Sequence, residues 1–461
     1  MNPGSRHPSL SRNVWIRIGL PAAVFILFAS LAAVPDLSRS VALLVGLSGA
    51  IVILLALGQY LAGKGEGDWS PAIIIVVALL VRLLFIPEPP VLSDDLYRYI
   101  FDGLVTLQGG NPYSAAPDGA ELLTREAASI LPMINHAHLV TIYPPAAQLL
   151  FAAGAAAGKL IGPVPGMKLV FAGLDVGSCI LILVLLRQLG LPCSRGILYA
   201  WNPLPVLEIA GSGHVDGAAL LFILAALVLA TRPGTGIAAG LFMGLAVLTK
   251  WVPLMIVPFW LLLVSGTRQR AAALGAFAVT GVLLAALFWP NLVNAWITLG
   301  QYLRNWEFSG FLFRGLRYVA GSGETARILL AALFTAVTGA LFVGRVRRPP
   351  ETAALFGCMA VVAGAYLVLS PTVYPWYALY LAVFLPFVRN PACLVFTWSV
   401  LFSYRILLVR HLTGLWVEDD VTPLLIVAAP CAALSAHALV RILPARRGVT
   451  HDREKAALGG S

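Results

Sequence analysis

Apolar residues in this chain fall in long, nearly unbroken blocks instead of alternating with polar residues. Blocks that approach the ~20 residues needed to cross a bilayer predict membrane-spanning helices. Their approximate limits are 15–34, 41–62, 71–87, 167–188, 196–211, 215–231, 236–251, 252–266, 271–290, 325–344, 352–370, 374–388, 392–409 and 421–442. The pattern therefore predicts an all-α, polytopic transmembrane bundle of about 14 helices. Two connections are long, 88–166 and 291–324.

Composition narrows the class of protein. Of the 461 residues, 59% are hydrophobic and only 11% are charged, too few charges to cover the surface of a soluble chain. The net charge of +10 does not predict nucleic-acid binding, because the basic residues stand singly or in pairs at the ends of apolar blocks. The five cysteines lack metal-ligand spacing, and no Walker loop is present. The sequence therefore predicts neither a metal site nor a cofactor.

The distribution of charge predicts how the chain crosses the membrane. With the amino terminus in the cytoplasm, most arginines fall on the cytoplasmic side and most carboxylates on the other, which puts both long loops outside. This count holds only if the apolar stretch from Pro144 to Gly162, which is rich in alanine and glycine, does not cross the membrane. An interfacial or re-entrant helix is therefore predicted there. The first block follows a basic leader and is predicted to remain as an anchor.

The resulting organisation is a multi-pass protein of the cell membrane with a periplasmic or extracellular active face. Its predicted parts are an amino-terminal three-helix segment (1–87), a first outer loop with an acidic helix and an interfacial helix (88–166), core helices (167–290), a second outer loop (291–324), carboxyl-terminal helices (325–443) and a cytoplasmic tail (444–461).

An acidic segment, Ser93-Asp94-Asp95, opens the first long loop. Ser93 suits a helix N-cap, and the two aspartates suit the first turn. Asp94, Arg98 and Asp102 recur every four residues and would form one charged face, with Tyr97 beside it. Such a helix is either a solvated, well-capped interfacial helix or the site of a general base at the bilayer surface.

A second polar group follows in the core helices. Glu208, His214 and Asp216 lie within nine positions in an apolar neighbourhood, where ionisable groups are costly and usually functional. Lys250 ends a later helix on the same predicted face, where it either snorkels or binds a phosphate. The candidate substrate-binding residues are Tyr97, Arg98, Asp102, Tyr143, Glu208, His214, Asp216, Lys250, Arg314 and Arg317.

Together these motifs resemble the GT-C superfamily of membrane glycosyltransferases, and most of all the bacterial polyprenol-phosphate-mannose-dependent mannosyltransferases. The matching pieces, between about 90 and 390, are Asp94-Asp95 with Tyr97-Arg98-Tyr99, Tyr143-Pro144-Pro145, Trp201-Asn202-Pro203, Gly213-His214-Val215-Asp216, Thr249-Lys250 with Pro253, and Tyr374-Pro375-Trp376-Tyr377. The superfamily carries its catalytic loop after the first spanning helix. Here two further helices precede that loop, so the first 70 residues look like an addition.

The resemblance implies a reaction and roles for the residues. A hexosyl group, by family likeness a mannosyl group, would pass from a polyprenyl-phosphate donor to a glycolipid or glycan acceptor with inversion, and no cofactor would be needed. Asp94 would be the base and Asp95 its partner, although these two roles are open to exchange. Lys250, Arg98, Arg314 and Arg317 would hold the departing phosphate, with His214 as a further donor.

Two other functions remain alternatives. A transporter or flippase of a lipid-linked sugar would place charged groups near the bilayer midplane and often shows repeated halves. In this sequence the polar residues gather at one predicted face and the halves do not match. A non-catalytic scaffold would leave the clustered ionisable residues without a purpose. The enzyme is therefore the favoured interpretation.

Overall fold

The computed structural model describes residues 10–65, 69–120, 124–348 and 351–458, and throughout these ranges the fold is all-helical. The α-helices are α1 Leu10–Ala32, α2 Val41–Gly63, α3 Pro71–Leu83, α4 Asp95–Leu107, α5 Arg125–Ile130, α6 Pro145–Ile161, α7 Pro163–Gln188, α8 Ile197–Ala200, α9 Pro203–Pro205, α10 Asp216–Ala230, α11 Gly236–Thr249, α12 Val257–Leu263, α13 Thr267–Ala286, α14 Val293–Asn305, α15 Phe311–Ala320, α16 Gly323–Val346, α17 Thr352–Leu369, α18 Leu379–Ala382, α19 Pro391–Ser399, α20 Arg405–Thr413 and α21 Val421–Leu458.

Tighter and wider helical turns connect several of these helices. The 3₁₀ turns are Pro117–Gly119, Leu131–Met133, Cys193–Gly196, Val252–Ile256, Pro375–Ala378 and Val400–Tyr404, and a π-helix covers Val206–Gly211. The predicted cytoplasmic tail continues as helix to Leu458. The start of the basic leader, residues 1–9, and the last three residues of the tail lie outside the described residues.

Within the described ranges, seven helices are long and apolar enough to cross a membrane. They are Val41–Gly63, Pro163–Gln188, Thr267–Ala286, Gly323–Val346, Thr352–Leu369, Pro391–Thr413 and Val421–Leu439, and six shorter apolar helices accompany them. Several predicted blocks are broken because proline cannot continue a helix. The block 196–211, for example, splits at Asn202-Pro203 into α8, α9 and the π-helix. The protein is thus a helical membrane protein, while the count of about 14 spans stays a prediction.

The first long loop folds into helices that pack tightly on one another. α4 crosses α6 at Gly103, where a Cβ would come within 2.2 Å of the Phe151 carbonyl oxygen, so only glycine allows this approach. α6 begins beside α4, and the turn after it starts α7. Near that start, Lys168 donates to the carbonyls of Phe85 and Glu88, just after α3 ends.

The amino-terminal helices pack into the body of the protein. Trp398 of α19 donates through Nε1 to the Val45 carbonyl of α2 at 2.8 Å, and its indole rests against Gly49. Gln59 of α2 donates to the Ser194 carbonyl at 2.9 Å. These contacts tie the first helices to both the core and the carboxyl-terminal part of the chain.

A buried ion pair joins three of the core elements. Arg82 of α3 contacts Asp175 of α7 at 2.7 Å, and the two side chains are 1% and 0% exposed. Tyr199 of α8 donates to the second oxygen of Asp175, and the guanidinium also donates to the carbonyls of Ala78 and Ala200. A charge buried this deeply is tolerated only when it is paired and hydrogen-bonded.

Candidate active site

A cavity of about 1240 Å³ lies where the first loop meets the turn after α11, the second loop and the carboxyl-terminal helices. Its lining combines a polar group around Asp94 and Asp95 with an apolar group that includes Val252, Leu254 and Met255. The polar and aromatic residues that line it include Asp94, Asp95, Arg98, His136, Tyr143, Lys250, Tyr302, Trp306, Tyr374, Trp376, Tyr377, Tyr404 and Arg410. Its size suits a ligand much larger than a single sugar ring.

The two aspartates stand at the amino-terminal end of α4, where the helix dipole favours negative charge. The Ser93 hydroxyl accepts a hydrogen bond from the Asp95 amide at 3.3 Å. One Asp95 oxygen, Oδ2, receives the Tyr143 hydroxyl at 3.2 Å and faces the Tyr99 hydroxyl at 3.5 Å. Asp95 is therefore held by phenols, and its side chain remains 30% exposed toward the cavity.

Burial and mutual repulsion shape the ionisation of this pair. Burial, and next the charge of Asp94, raises the pKa of Asp95 to about 6, although Lys250 and Tyr143 act in the opposite direction. Burial also raises the pKa of Asp94, against the lowering effects of Arg410, His136 and Asn135. Carboxylates of this kind are suited to accept protons near neutral pH.

The charged face predicted for α4 is present, but its members have different surroundings. Arg98 contacts Asp102 at 2.9 Å, with side chains 11% and 1% exposed, and donates to the Leu139 carbonyl. Arg98 lines the cavity, whereas Asp102 lies behind it and Tyr97 does not reach it. The sequence spacing thus located the helix face correctly, and only part of that face reaches the cavity.

Glu208 and His214 lie next to the aspartates but do not line the cavity. Glu208 sits on the π-helix, a distortion often found at functional sites. Gly213 adopts a φ of +77°, and a Cβ there would meet Leu96 of α4 at 2.4 Å. Glycine therefore brings His214 against α4, where its Nδ1 lies 3.9 Å from Oδ2 of Asp95.

Lys250 and Asp216 form an ion pair at the cavity wall. Their charged atoms are 3.0 Å apart, with side chains 13% and 0% exposed. The Lys250 ammonium also lies 5.2 Å from the centre of the Tyr143 ring. Asp216 is fully buried, whereas part of the Lys250 side chain is exposed at the cavity wall. An anion in the cavity can therefore approach Lys250.

Arg314 and Arg317 do not join the other candidate residues. Arg314 pairs with Asp420 at 3.0 Å, and Arg317 pairs with Glu307. Neither arginine lines the cavity, although Glu307 does. The structure therefore separates these two predicted substrate contacts from the Asp94–Asp95 pair.

Several residues of the cavity were missed by the sequence analysis. Arg410 lines the wall and acts electrostatically on Asp94, and its guanidinium lies 6.0 Å from the Trp416 ring. It directly follows the block 392–409 on the predicted outer side, so the charge pattern held the signal. Tyr302, whose hydroxyl hydrogen-bonds that of Tyr377 in the motif Tyr374-Pro375-Trp376-Tyr377, offered no comparable signal. Among the described residues, no group of three His, Cys, Asp or Glu side chains is arranged to hold a metal ion.

Comparison of the sequence with known protein families identifies one match. The sequence model described as "Alpha-(1->6)-mannopyranosyltransferase, N-terminal domain" matches residues 18–266, more than half of the chain. No curated protein and no solved structure matches. Because the match begins at residue 18, the helices before the first long loop are part of the family domain, and their interpretation as an addition was wrong. The chain belongs to the alpha-(1->6)-mannopyranosyltransferase family, a family of GT-C mannosyltransferases.

Proposed function

We propose that the protein transfers a mannosyl group from a polyprenyl-phosphate donor to the 6-hydroxyl of a sugar in a glycolipid or glycan acceptor. The observation that carries this proposal is one cavity whose lining joins a carboxylate pair, the ammonium of Lys250 and a group of apolar side chains. The α-(1→6) linkage follows the description of the family. The proposed site of the reaction is the outer face of the cytoplasmic membrane.

The apolar group of the cavity lining supports a lipid-linked donor. It consists of Val252, Leu254 and Met255 after Lys250, Leu299 and Leu303 of α14, and Phe334 of α16. Leu254 and Leu303 are 53% and 61% exposed, so their side chains are accessible to a lipid chain. A prenyl chain would lie along this apolar group with its phosphate beside Lys250.

The polar group of the cavity lining supports direct displacement. The Asp94 carboxylate takes the proton of the acceptor hydroxyl, the hydroxyl oxygen bonds to the anomeric carbon, and the carbon–oxygen bond to the phosphate breaks. The electron pair leaves with the phosphate, whose charge Lys250 and Arg410 stabilise. We assign the base to Asp94 because Oδ2 of Asp95 already receives the Tyr143 hydroxyl. One displacement inverts the anomeric centre.

The charge pattern supports the outer-face topology. Most arginines fall on the predicted cytoplasmic side and most carboxylates on the other side. This distribution puts the first long loop, which lines the cavity, on the outer face.

A donor screen tests the proposed function. Purified protein in liposomes is given an acceptor glycan and, separately, polyprenyl-phosphate mannose, glucose, galactose or a pentose. We expect label to reach the acceptor only from the mannose donor, with inversion at the anomeric carbon. Movement of the intact lipid across the bilayer without transfer would instead identify a flippase.

The pH dependence of transfer should reflect the aspartate pair. Because the pKa of Asp95 is raised to about 6, its carboxylate is ionised above that pH and protonated below it. Protonation of Asp95 removes the neighbouring negative charge that strengthens Asp94 as a base, so we expect the rate to fall as the pH drops through about 6. Initial rates at saturating donor, measured between about pH 5 and about pH 8, check this fall, which is the acid limb of the pH–rate profile. A rate that stays flat through this range would contradict it.

A further inference from the structure

Glu208 and His214 are left without a role by the proposed mechanism. Both side chains are 0% exposed, and neither lines the cavity, so they do not touch the substrate. They nevertheless form a continuous row that ends at the aspartate pair. His214 Nε2 lies 3.5 Å from Oε2 of Glu208, and His214 Nδ1 lies 3.9 Å from Oδ2 of Asp95.

The atoms of this row have few other partners. Oε2 of Glu208 and both ring nitrogens of His214 are buried, and among the described residues no atom lies within hydrogen-bond geometry of them. The other oxygen of Glu208 receives the Tyr404 hydroxyl at 2.7 Å. A buried polar atom without a partner is costly, so these atoms are best satisfied by one another.

The charge states follow from the surroundings. Glu208 contacts a phenol and an imidazole and has no cation beside it, so burial favours its neutral, protonated form. Burial, and next the nearby charge of Lys250, holds the pKa of His214 well below its usual range, so the ring is neutral as well. A neutral imidazole has one N–H donor and one acceptor nitrogen.

One arrangement of protons turns every donor in the row toward an acceptor. Tyr404 donates to Oε1 of Glu208, the protonated Oε2 donates to Nε2 of His214, and the N–H at Nδ1 points to Asp95. The ring is fixed by stacking on Trp376 at 4.1 Å between ring centres and by the close approach that Gly213 permits. Each donated proton in the row therefore points away from Tyr404 and toward Asp95.

We propose that Glu208 and His214 are a positioning pair that directs an N–H at Asp95 and so keeps this carboxylate ionised and oriented beside Asp94. This inference rests on the proposed function, because Asp95 matters only if the cavity carries out the transfer. An N–H directed at the ionised form favours that form, and at 3.9 Å the N–H of His214 acts through its dipole, beside the hydroxyls of Tyr143 and Tyr99 that contact Asp95 directly. The sequence analysis took both residues for substrate contacts; here they act through Asp95.

Other groups also face this site and set the background of its titration. They are Asp94 and Tyr99 of α4, Tyr143 before α6, Asp216 of α10, Lys250 after α11, and, farther off, Tyr302 of α14, Tyr374 and Tyr404. All of them are retained in the variants below, so a change in the pH profile reports on the His214 donor.

The test compares two amide replacements of His214. In His214→Asn the amide nitrogen takes the place of Nδ1 and still reaches toward Asp95, whereas in His214→Gln it takes the place of Nε2. We expect His214→Gln to lower transfer at least 10-fold and to move the acid limb up by about one pH unit, since a donor to the ionised form is lost. His214→Asn should lose less activity and shift the limb less. His411→Asn, at a histidine bound to Ser38, is the control.

The outcomes separate the two proposals. A wild-type protein that transfers no sugar overturns the proposed function. A wild-type protein that is active, while the limb of His214→Gln stays at the wild-type pH, overturns the positioning pair, because a fold defect lowers the rate equally at every pH. If both His214 variants fail to fold, Glu208 decides. Glu208→Gln keeps a neutral donor for Nε2 and should be more active than Glu208→Leu, and equal activity overturns the pair.

Discussion

Asp94→Asn should lower the rate of sugar transfer by about 10²- to 10⁴-fold, the usual contribution of a general base. The amide has nearly the same shape as the carboxylate but does not take the proton of the acceptor hydroxyl. Asp94 occupies the N-cap position of α4 without a side-chain capping hydrogen bond, and asparagine suits this position equally well, so the helix should remain folded. We therefore expect the loss in kcat, with donor binding retained, as measured by turnover and by equilibrium binding of the labelled donor.

Two further variants sharpen this result. Asp118→Asn, at an exposed position in the same loop, makes the same chemical change outside the cavity and should leave transfer unaffected. Asp95→Asn should also reduce transfer, but with a changed pH limb because the group that titrates near pH 6 is gone. Full activity in both Asp94→Asn and Asp95→Asn would contradict the catalytic assignment. A larger loss in Asp95→Asn than in Asp94→Asn would exchange the two roles.

Local spacing explains why much of this site was predictable. The four-residue repeat of Asp94, Arg98 and Asp102 places them on one helix face whatever surrounds the helix, and the structure contains that helix and the Arg98–Asp102 pair. The high cost of ionisable groups in apolar surroundings likewise singled out Asp216, which is fully buried and pairs with Lys250. Such signals depend only on the local sequence and not on tertiary contacts.

Other features depend on tertiary contacts, which spacing does not contain. Arg314 and Arg317 have the composition of a phosphate site, yet carboxylates from the second loop and the chain after α20 pair with them. Glu208 and His214 were located correctly, but their burial behind Asp95 follows from the approach of Gly213 to α4. The sequence shows only how long each hydrophobic block is. In the structure, prolines and the π-helix divide several of these blocks into short helical segments.

The Arg82–Asp175 pair is where we expect the largest effect on stability. Asp175→Ala leaves the Arg82 guanidinium buried without its counter-ion and leaves the Tyr199 hydroxyl without its acceptor. Removal of one partner from a buried ion pair costs about 3–5 kcal/mol, because the remaining charge is uncompensated. The free energy of unfolding in detergent, from denaturant titration, measures this loss.

A double replacement distinguishes an unpaired charge from lost packing. In Arg82→Met with Asp175→Leu both charges are gone and much of the volume is kept, so a large part of the lost stability should return. Asp420→Ala breaks the exposed pair with Arg314 and should have no measurable effect, since solvent screens that pair. If Asp175→Ala destabilised the protein no more than Asp420→Ala, the buried pair would not be holding α3, α7 and α8 together. If the double replacement were as unstable as Asp175→Ala, lost packing and not the isolated guanidinium would be the cause.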